Sequence, residues 1–449
     1  MAKLWDKGYA LDKEVEKFTV GEDYTLDQKL VEADVAGSIA HAKMLAKIGV
    51  LKGEEFSKLK SELLKILELH NKGKFEITPE DEDIHTAIEN HLTSKLGDLG
   101  KKIHTARSRN DQVLVDMRLY AKWKMLDIKE SLLNLCQTLL DFAEKNKDVP
   151  IPGRTHTQLA MPSSLGLWAG AYAESLLDDL EVLKTAYEIN DQCPLGSAAS
   201  YGVPLLIDRQ MVADLLGFKK VQKNVLYANN SRGKVESIIL GALSQIMVDL
   251  SKFANDAILF SIPELDYFDI PDEFCTGSSI MPNKKNPGAL ELVRAKSNKV
   301  LAGYYQVVGI IKDLYSGYNR DFQETKKPVM EGLAVTKASL DICALVVSGL
   351  KVNKVKCIRA CKPEIFATDK AVELVGEGMP FRDAYKKVAA ELDKLEGEDA
   401  TGNIKGKKHL GATGNLGLAK SVANIKVEKE KVTKEKKSLE LMFSKLKKI

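Results

Sequence analysis

Residues 277 to 288 hold the densest group of chemically useful side chains in this sequence. The segment reads Gly-Ser-Ser-Ile-Met-Pro-Asn-Lys-Lys-Asn-Pro-Gly, and its glycines and prolines mark a loop with defined turns. The hydroxyl, amide and ammonium groups inside it are suited to an anion. Asn286 before Pro287 predicts the N-cap and first residue of a helix, whose positive end would face the loop. With Lys284 and backbone N–H groups, this arrangement would stabilise a carboxylate that gains negative charge.

A second candidate group follows the prolines at positions 150 and 152. His156 stands between Thr155 and Thr157 and is followed by Gln158. An imidazole can donate or accept a proton in catalysis because small shifts bring its pKa near working pH. A histidine in a loop is nevertheless more often structural or solvated than catalytic. The role of His156 therefore depends on what else the sequence places beside it.

Long helices must position these groups, because the prolines are clustered and the gaps between them are long. No proline occurs between Pro79 and Pro150 or between Pro204 and Pro263, and a proline inside a helix costs about 3 kcal/mol or more. Within the gaps, apolar residues recur every three or four positions. The pattern predicts five long helices, near residues 106–146, 162–190, 230–260, 287–315 and 325–352. Helices of this length indicate an all-α bundle.

The domain organisation follows from the same pattern. Residues 235–243 are apolar nearly all round, which predicts a helix buried on every side, with packing between subunits as the explanation. Shorter helical patterns lie before the bundle, and a small helical region with a lysine-rich tail follows it. We therefore predict an N-terminal helical domain at 1–106, a central helical bundle domain at 107–356 and a C-terminal small helical domain at 357–449.

Composition excludes several classes of protein. The 449 residues, 44% of them hydrophobic, can form two or three domains that share an extensive core. A net charge of +3, from 66 basic and 63 acidic residues, implies no nucleic-acid partner. The longest apolar run falls far short of the roughly 20 residues that span a membrane. The cysteines show no disulfide framework or metal-ligand spacing. We expect a cytoplasmic protein with no metal, cofactor or membrane partner.

Residues 277–286, written as Gly-Ser-x-x-Met-x-x-Lys-x-Asn, match the signature of the fumarase/aspartase superfamily at every fixed position. Four further segments agree with one family of this superfamily in order and spacing. They are residues 81–87, 104–112, 153–158 and 318–324. Through them the chain resembles the argininosuccinate lyase and delta-crystallin family. The likeness is strong from about residue 80 to about residue 330 and weaker at both ends.

The resemblance implies an elimination that breaks a C–N bond β to a carboxylate and releases fumarate and, from argininosuccinate, arginine. Loss of a proton beside a carboxylate creates an intermediate with two negative charges, which needs positive potential already in place. By resemblance, Ser278 is the general base and Lys284 favours its alkoxide. His156 is the general acid, and Glu291 orients it. The reverse assignment of acid and base stays open.

The resemblance also implies a set of substrate-binding residues and an assembly. The matching positions are Ser38, Arg109, Asn110, Thr155, Asn286, Tyr318, Gln323 and Lys326. Among them, Arg109 can hold a carboxylate in a bidentate fork and Lys326 adds a second positive charge. The implied assembly is a homotetramer with a twenty-helix core, in which three subunits share each active site. A monomer would then be inactive.

The segment that contains Asp83, His85 and Glu89 has two interpretations. It resembles a cluster that supports the active site in the family. An aspartate that caps a helix and a hydrogen-bonded histidine would give the same pattern without a functional role. Both interpretations remain open at the level of sequence.

Two other functions compete with argininosuccinate cleavage. Adenylosuccinate lyase performs the same elimination on a nucleotide and carries a similar loop, but residues 104–111 favour argininosuccinate. A catalytically silent, crystallin-like structural protein on the same fold is the other alternative. Retention of Ser278, His156, Lys284 and Glu291 argues against it.

Overall fold

The computed structural model describes residues 11–449, so the first ten residues of the predicted N-terminal domain lie outside the described range. The first described part is built from helices of mixed length. They are α1 (Lys13–Val20), α2 (Asp23–Asp27), α3 (Val31–Lys47), α4 (Gly53–Asn71), α5 (Ile84–Leu96) and α6 (Asp98–Lys101). Buried side chains of α3, α4 and α5 form a second hydrophobic core together with residues from later in the chain, such as Leu119 and Phe218.

The middle part carries the long helices. In chain order its elements are α7 (Arg109–Lys145), β1 (Pro150–Thr155), β2 (Gln158–Ser164), α8 (Leu165–Asn190), β3 (Gln192–Cys193), α9 (Arg209–Leu215), β4 (Lys220–Val221), α10 (Val225–Asn230), α11 (Lys234–Ser261), β5 (Phe268–Asp269), α12 (Gly288–Ile311) and α13 (Lys326–Gly349). A 3-10 helix at Arg320–Thr325 leads into α13. The last part contains β6 (Lys351–Val352), α14 (Lys354–Ala360), α15 (Ala367–Gly376), α16 (Phe381–Ala390), α17 (Ala400–Gly406) and α18 (Leu418–Lys448).

The predicted all-α bundle is confirmed. Helices α7, α8, α11, α12 and α13 correspond to the five predicted long helices, and their buried faces form the main hydrophobic core. Helix α8 begins at Leu165 rather than near residue 162, because Gln158–Ser164 pairs with β1 as an antiparallel hairpin. A capping box sets the start of α7. The Ser108 side chain accepts a hydrogen bond from the backbone N–H of Asp111, and the Asp111 side chain accepts one from the backbone N–H of Ser108.

Helix α11 shows how the bundle buries an apolar helix within one chain. Val235, Ile239, Leu240 and Leu243 are all buried, as the sequence predicted for residues 235–243. Their neighbours are α8, α12 and α13 of the same chain. This burial therefore needs no second subunit, contrary to the explanation drawn from the sequence.

Helix α12 behaves differently from α11. Its buried positions form a single narrow seam at Leu290, Val293, Ser297, Val300, Gly303 and Val307. Outside the seam, Leu292 and Tyr305 are 57% and 65% exposed. Exposed apolar side chains on a bundle helix can form part of an interaction surface. The chain itself leaves this face of α12 uncovered.

Two helical stretches are long and apolar enough to cross a membrane by length and composition. In Lys234–Ser261 and Arg320–Gly349, 61% and 50% of the most apolar window is buried inside the protein. Both stretches belong to the bundle core. Helices that are hydrophobic nearly all round are expected in such a core.

The C-terminal helices pack in two different places. Helices α15 and α16 form a small cluster around Ala371, Ala384 and Val388. The last helix, α18, returns to the bundle, where Val432 and Leu439 join the main core. The lysine-rich tail is therefore a helix with one buried stripe and a solvated face.

Candidate active site

A polar cavity lies where the N-terminal helices meet the start of α7 and the start of α13. Five of the predicted substrate-binding residues line it: Arg109, Asn110, Tyr318, Gln323 and Lys326. The structure brings them together from positions more than 200 residues apart in the sequence. We call this site the substrate cavity.

Lys326 is the most deeply buried cation of the substrate cavity. Its Nζ lies 2.5 Å from an oxygen of Asp27 and 2.7 Å from an oxygen of Asp23. Burial opposes the charge of Lys326, but the two aspartates outweigh it and raise the lysine pKa. Burial also raises the pKa of Asp27, although Lys326 acts in the opposite direction. Because both partners are desolvated, the pair depends on its own hydrogen bonds for compensation.

Arg109 occupies the first turn of α7 and contacts two acidic residues that also line the substrate cavity. Its Nη1 donates to Asp83 at 2.6 Å and to Glu82 at 3.2 Å. Asp83 is also the N-cap of α5 and accepts a hydrogen bond from the backbone N–H of Thr86 at 2.8 Å. The helix-capping interpretation of Asp83 is thus confirmed, and the same carboxylate faces the substrate cavity.

The N-terminal segment forms one wall of the substrate cavity. Gln323 Nε2 donates to the carbonyl of Thr19 at 3.1 Å, and Arg320 Nη2 donates to the same carbonyl at 2.7 Å. These contacts hold the last turn of α1 against the 3-10 helix before α13. A ligand that used the Gln323 amide would have to displace this backbone contact.

Behind the cavity wall, α3 presents a polar face. His85 lines the substrate cavity, and its Nδ1 lies 2.6 Å from Asp34 Oδ2. Ser38 donates to the other oxygen of Asp34 at 2.9 Å and accepts a hydrogen bond from Arg107 Nη1, also at 2.9 Å. Ser38 is fully buried and does not line the substrate cavity. The structure therefore places Ser38 among the supporting residues of the wall.

Asp34, His85 and Asp116 form a compact group of carboxylates and imidazole in the described part of the chain. The 2.6 Å between Asp34 and His85 is a hydrogen-bond distance. An ion between two such ligands, each about 2 Å from it, would need them farther apart. The arrangement fits a hydrogen-bonded network.

The predicted anion-binding segment forms a projecting loop, which we call the signature loop (residues 277–286). Backbone hydrogen bonds of 2.8 and 2.9 Å between Thr276 and Asn286 close its neck. The prediction that Asn286 caps the following helix is wrong. Helix α12 begins at Gly288 with Pro287 at the N-cap position, and the Asn286 side chain donates instead to the carbonyl of Gly277 at 3.2 Å.

The two lysines of the signature loop have different surroundings. Lys285 pairs with Asp269 at 2.9 Å and with Asp272 at 2.8 Å, and these hydrogen bonds raise its pKa. Lys284 is exposed and its Nζ forms no ion pair with any described residue. Lys285 therefore anchors the neck of the loop, whereas Lys284 is available to an anion.

Ser278 has backbone donors directed at its hydroxyl oxygen. The N–H groups of Ile280 and Met281 donate to Oγ at 3.3 and 3.1 Å. Hydrogen bonds to an oxygen favour its charged form. Glu291 lies beyond the loop in the first turn of α12, where it is exposed.

His156 lies at the tip of the β1–β2 hairpin, next to Thr155. His156 and Thr157 have φ angles of 52° and 63°, as a two-residue hairpin turn of the primed type requires. A left-handed backbone is uncommon for residues other than glycine and is often found at functional sites. The hairpin tip is exposed, so the imidazole projects away from its own chain.

Apart from the buried Ser38, the predicted site residues thus fall into three groups in one chain. Five of them line the substrate cavity. The hairpin tip and the signature loop, with Glu291, hold the other exposed candidates. None of these outer residues lines the substrate cavity, and no hydrogen bond or ion pair among the described residues joins the three groups.

Several residues of the substrate cavity were not predicted from the sequence. Asp23, Asp27 and Arg232 line the substrate cavity but were not predicted as site residues. A signal for two of them was present, because Asp23 and Asp27 are four residues apart and lie on one face of a helical turn. Arg232 lies in a loop between α10 and α11, and nothing in its local sequence marked it.

The geometry can be compared with known proteins. The sequence matches the protein family described as Lyase over residues 8–302. An argininosuccinate lyase from Thermotoga neapolitana is 49% identical over 392 residues, which cover 87% of this chain and 98% of the relative. The chain belongs to the argininosuccinate lyase family. A second member, from Sorangium cellulosum, is 44% identical over 93% of this chain and 96% of the relative.

Solved structures support the fold of the family. An EDDS lyase variant with bound fumarate superimposes with a TM-score of 0.81 at 20% sequence identity, over 98% of this chain and 95% of that structure. At this identity the likeness shows the fold alone. The family and the helical lyase fold predicted from the sequence are both confirmed.

Proposed function

We propose that the chain cleaves argininosuccinate reversibly to arginine and fumarate, as a step of arginine biosynthesis. The observation that carries the proposal is the charge balance of the substrate cavity. Arg109, Arg232, Arg320 and Lys326 line it together with Asp23, Asp27, Glu82 and Asp83. Argininosuccinate has carboxylates as well as ammonium and guanidinium groups, so it can exchange partners with both sets of side chains.

The signature loop would supply the reacting groups. Ser278 removes the proton from the carbon beside a substrate carboxylate, and the carboxylate then gains negative charge. Lys284 and the N–H groups of the loop stabilise that charge, and Asn286 donates a hydrogen bond to the same carboxylate. The backbone donors already directed at Ser278 Oγ support its role as the base.

His156 would protonate the departing guanidino nitrogen, with Glu291 orienting its imidazole and Thr155 contacting the substrate. For this to happen, the hairpin tip and the signature loop must meet the substrate cavity. We infer a homotetramer in which three subunits complete each site. The separation of the three groups within one chain and the exposed apolar residues of α12 support this assembly.

The acidic lining of the substrate cavity bears on the alternatives. Adenylosuccinate offers a phosphate and a purine in place of the amino and guanidinium groups. Four carboxylates in the lining favour a substrate with cationic groups. The cytoplasm is the proposed compartment, because all six cysteines are free thiols.

The test follows fumarate absorbance with purified wild-type protein and either argininosuccinate or adenylosuccinate. We expect fumarate from argininosuccinate only. Ser278→Ala should lower kcat about 10³-fold, the range of a lost general base. Ser279→Ala is the matched control, because Ser279 is the neighbouring exposed hydroxyl and should retain activity within a few-fold.

The same samples should elute as tetramers in size-exclusion chromatography with light scattering. Fumarate from adenylosuccinate would move the assignment to the nucleotide substrate. Equal activity in Ser278→Ala and the wild type would exclude Ser278 as the base. A fully active monomer would refute the shared site.

A further inference from the structure

A pair of buried aspartates lies directly behind His85. Asp34 on α3 and Asp116 on α7 are 2% and 1% exposed. Asp34 Oδ2 lies 2.6 Å from Nδ1 of His85, and Asp116 Oδ2 lies 3.7 Å from the same nitrogen. One oxygen of each aspartate lies within 4.8 Å of the other. Two carboxylates at this separation do not both ionise readily in a buried site.

The two aspartates differ in their hydrogen bonds. Asp34 accepts from His85 and from Ser38, and Arg107 donates to Ser38 in turn. Neither carboxyl oxygen of Asp116 has a hydrogen-bond partner among the described residues. A buried carboxylate without donors is costly, whereas a protonated carboxyl group provides a donor of its own.

The charges and burial around Asp34 and Asp116 favour one proton on this pair of carboxyl groups. Burial raises the pKa of Asp116 well above its usual range, and the nearby Asp34 and Asp27 act in the same direction. Burial also opposes the charge of Asp34, but the hydrogen bond and charge of His85 keep its pKa low. Burial likewise opposes the charge of His85, yet Asp34, Asp83 and Asp27 raise its pKa. The charged groups that face this cluster come from α2, α3, α7 and the segments just before α5 and α7. They are Asp27, Asp34, Asp83, Arg107 and Asp116.

We propose that Asp34 and Asp116 share one proton, so that neutral Asp116 donates to Asp34 and Asp34 holds His85 in its charged form at the cavity wall. Nδ1 of His85 faces Asp34, which leaves the opposite ring nitrogen, Nε2, as a charged donor for a substrate carboxylate. His85 is then a substrate-binding residue, and the two aspartates are positioning residues. The part of this inference that concerns substrate rests on the proposed function.

The shared proton can be tested without any activity. The midpoint of thermal unfolding is measured for wild type and Asp116→Asn between pH 4 and pH 8. A group whose pKa is raised by folding destabilises the fold at high pH, because the unfolded chain releases its proton more easily. Asparagine keeps the donor and removes this cost. The midpoint of Asp116→Asn should exceed that of wild type by about 2 °C or more at pH 8, and the gain should vanish near pH 4.

Asp191→Asn is the matched control. Asp191 is also buried, but it accepts hydrogen bonds from Lys122 and from the backbone of Lys219. Its substitution should lower the midpoint at pH 8. If Asp116→Asn lowers the midpoint at pH 8 in the same way, Asp116 is ionised and the shared proton is refuted.

The role of His85 is tested by the pH profile of kcat/KM with argininosuccinate. In Asp34→Asn the neutral amide no longer holds the charge of His85, so the alkaline limb should move to lower pH by about one unit or more. KM should rise more than kcat falls. In Asp116→Asn the limb should stay at the wild-type pH.

An unchanged limb in Asp34→Asn would refute the binding role of His85, provided that the wild type releases fumarate. If the wild type releases none from argininosuccinate, the proposed function fails by itself. The unfolding measurements still decide whether the two aspartates share a proton.

Discussion

The signature loop and the substrate cavity are built in opposite ways. The loop is exposed and is attached to the protein by the Thr276–Asn286 backbone pair and the ion pairs of Lys285. In the substrate cavity two cations, Lys326 and Arg109, each contact two carboxylates. The loop leaves Lys284 without an ion pair among the described residues, and the cavity holds Lys326 and Arg109 in ion pairs before any ligand arrives.

This difference has a physical reason. Some side chains stabilise charge that develops only in the transition state. Ion pairs in the empty site would not help these side chains, because the ion pairs would have to break before the reaction. Groups that fix a substrate benefit from a rigid surrounding that holds their geometry. Under the proposed function the loop would close over the site, which the buried network could not do without breaking ion pairs.

The largest expected effect is on the buried network. Lys326→Met should lower the free energy of unfolding by about 3–5 kcal/mol, because it leaves the buried Asp27 without its partner. Urea unfolding followed by circular dichroism measures this loss. A loss below 1 kcal/mol would show that Asp27 takes up a proton at little cost.

Lys327→Met provides the control for that measurement. Lys327 is the next residue along the chain and pairs with Glu22, but the two side chains are 49% and 66% exposed. Exposed ion pairs contribute about 0–1 kcal/mol. Equal losses in both variants would mean that burial makes no difference to these pairs.

The next effect concerns the two lysines of the signature loop. Lys284→Ala should lower kcat about 10²- to 10³-fold, as expected when one donor to the transition state is lost. Its unfolding midpoint should not change, because the Lys284 side chain has no partner among the described residues. Lys285→Ala should lower kcat less than about tenfold, since that side chain only anchors the neck. Steady-state kinetics distinguish the two, and a reversed order would exchange their roles.

The smallest effect is a pH dependence that arises behind the cavity wall. His41 is buried and lies 2.9 Å from the carbonyl of Thr105. Burial, with Arg107 acting in the same direction, lowers its pKa to about 3. In the unfolded chain His41 takes up a proton with a pKa near 6.5. The free energy of unfolding should therefore fall by about 2 kcal/mol between pH 6.5 and pH 5.

In His41→Gln the free energy of unfolding should not show this fall at low pH. Urea unfolding at pH 7 and pH 5 gives the pH dependence for both proteins, and other titrating groups cancel in the difference between them. The same loss of stability in the variant and in the wild type would mean that His41 is already charged in the folded state.

Much of this fold could be predicted from local sequence. Proline gaps and apolar spacing locate α7, α8, α11, α12 and α13 to within a few residues. The errors occur at element ends. Asn286 looked like a helix cap, but its side chain and backbone are used to close the neck of the signature loop. A cap is a local preference, and a competing hydrogen bond can override it.

The sequence by itself determined the long helices, the reactive loop and the family, because periodicity and motif spacing are properties of neighbouring residues. Only the tertiary structure decided which charges meet. It placed Asp27 beside Lys326, set Asp34 and Asp116 behind His85, and put Ser38 in the wall instead of the cavity. Burial and contact between distant segments set these pairings, and no local pattern encodes the distance between two side chains that are 80 or 300 residues apart.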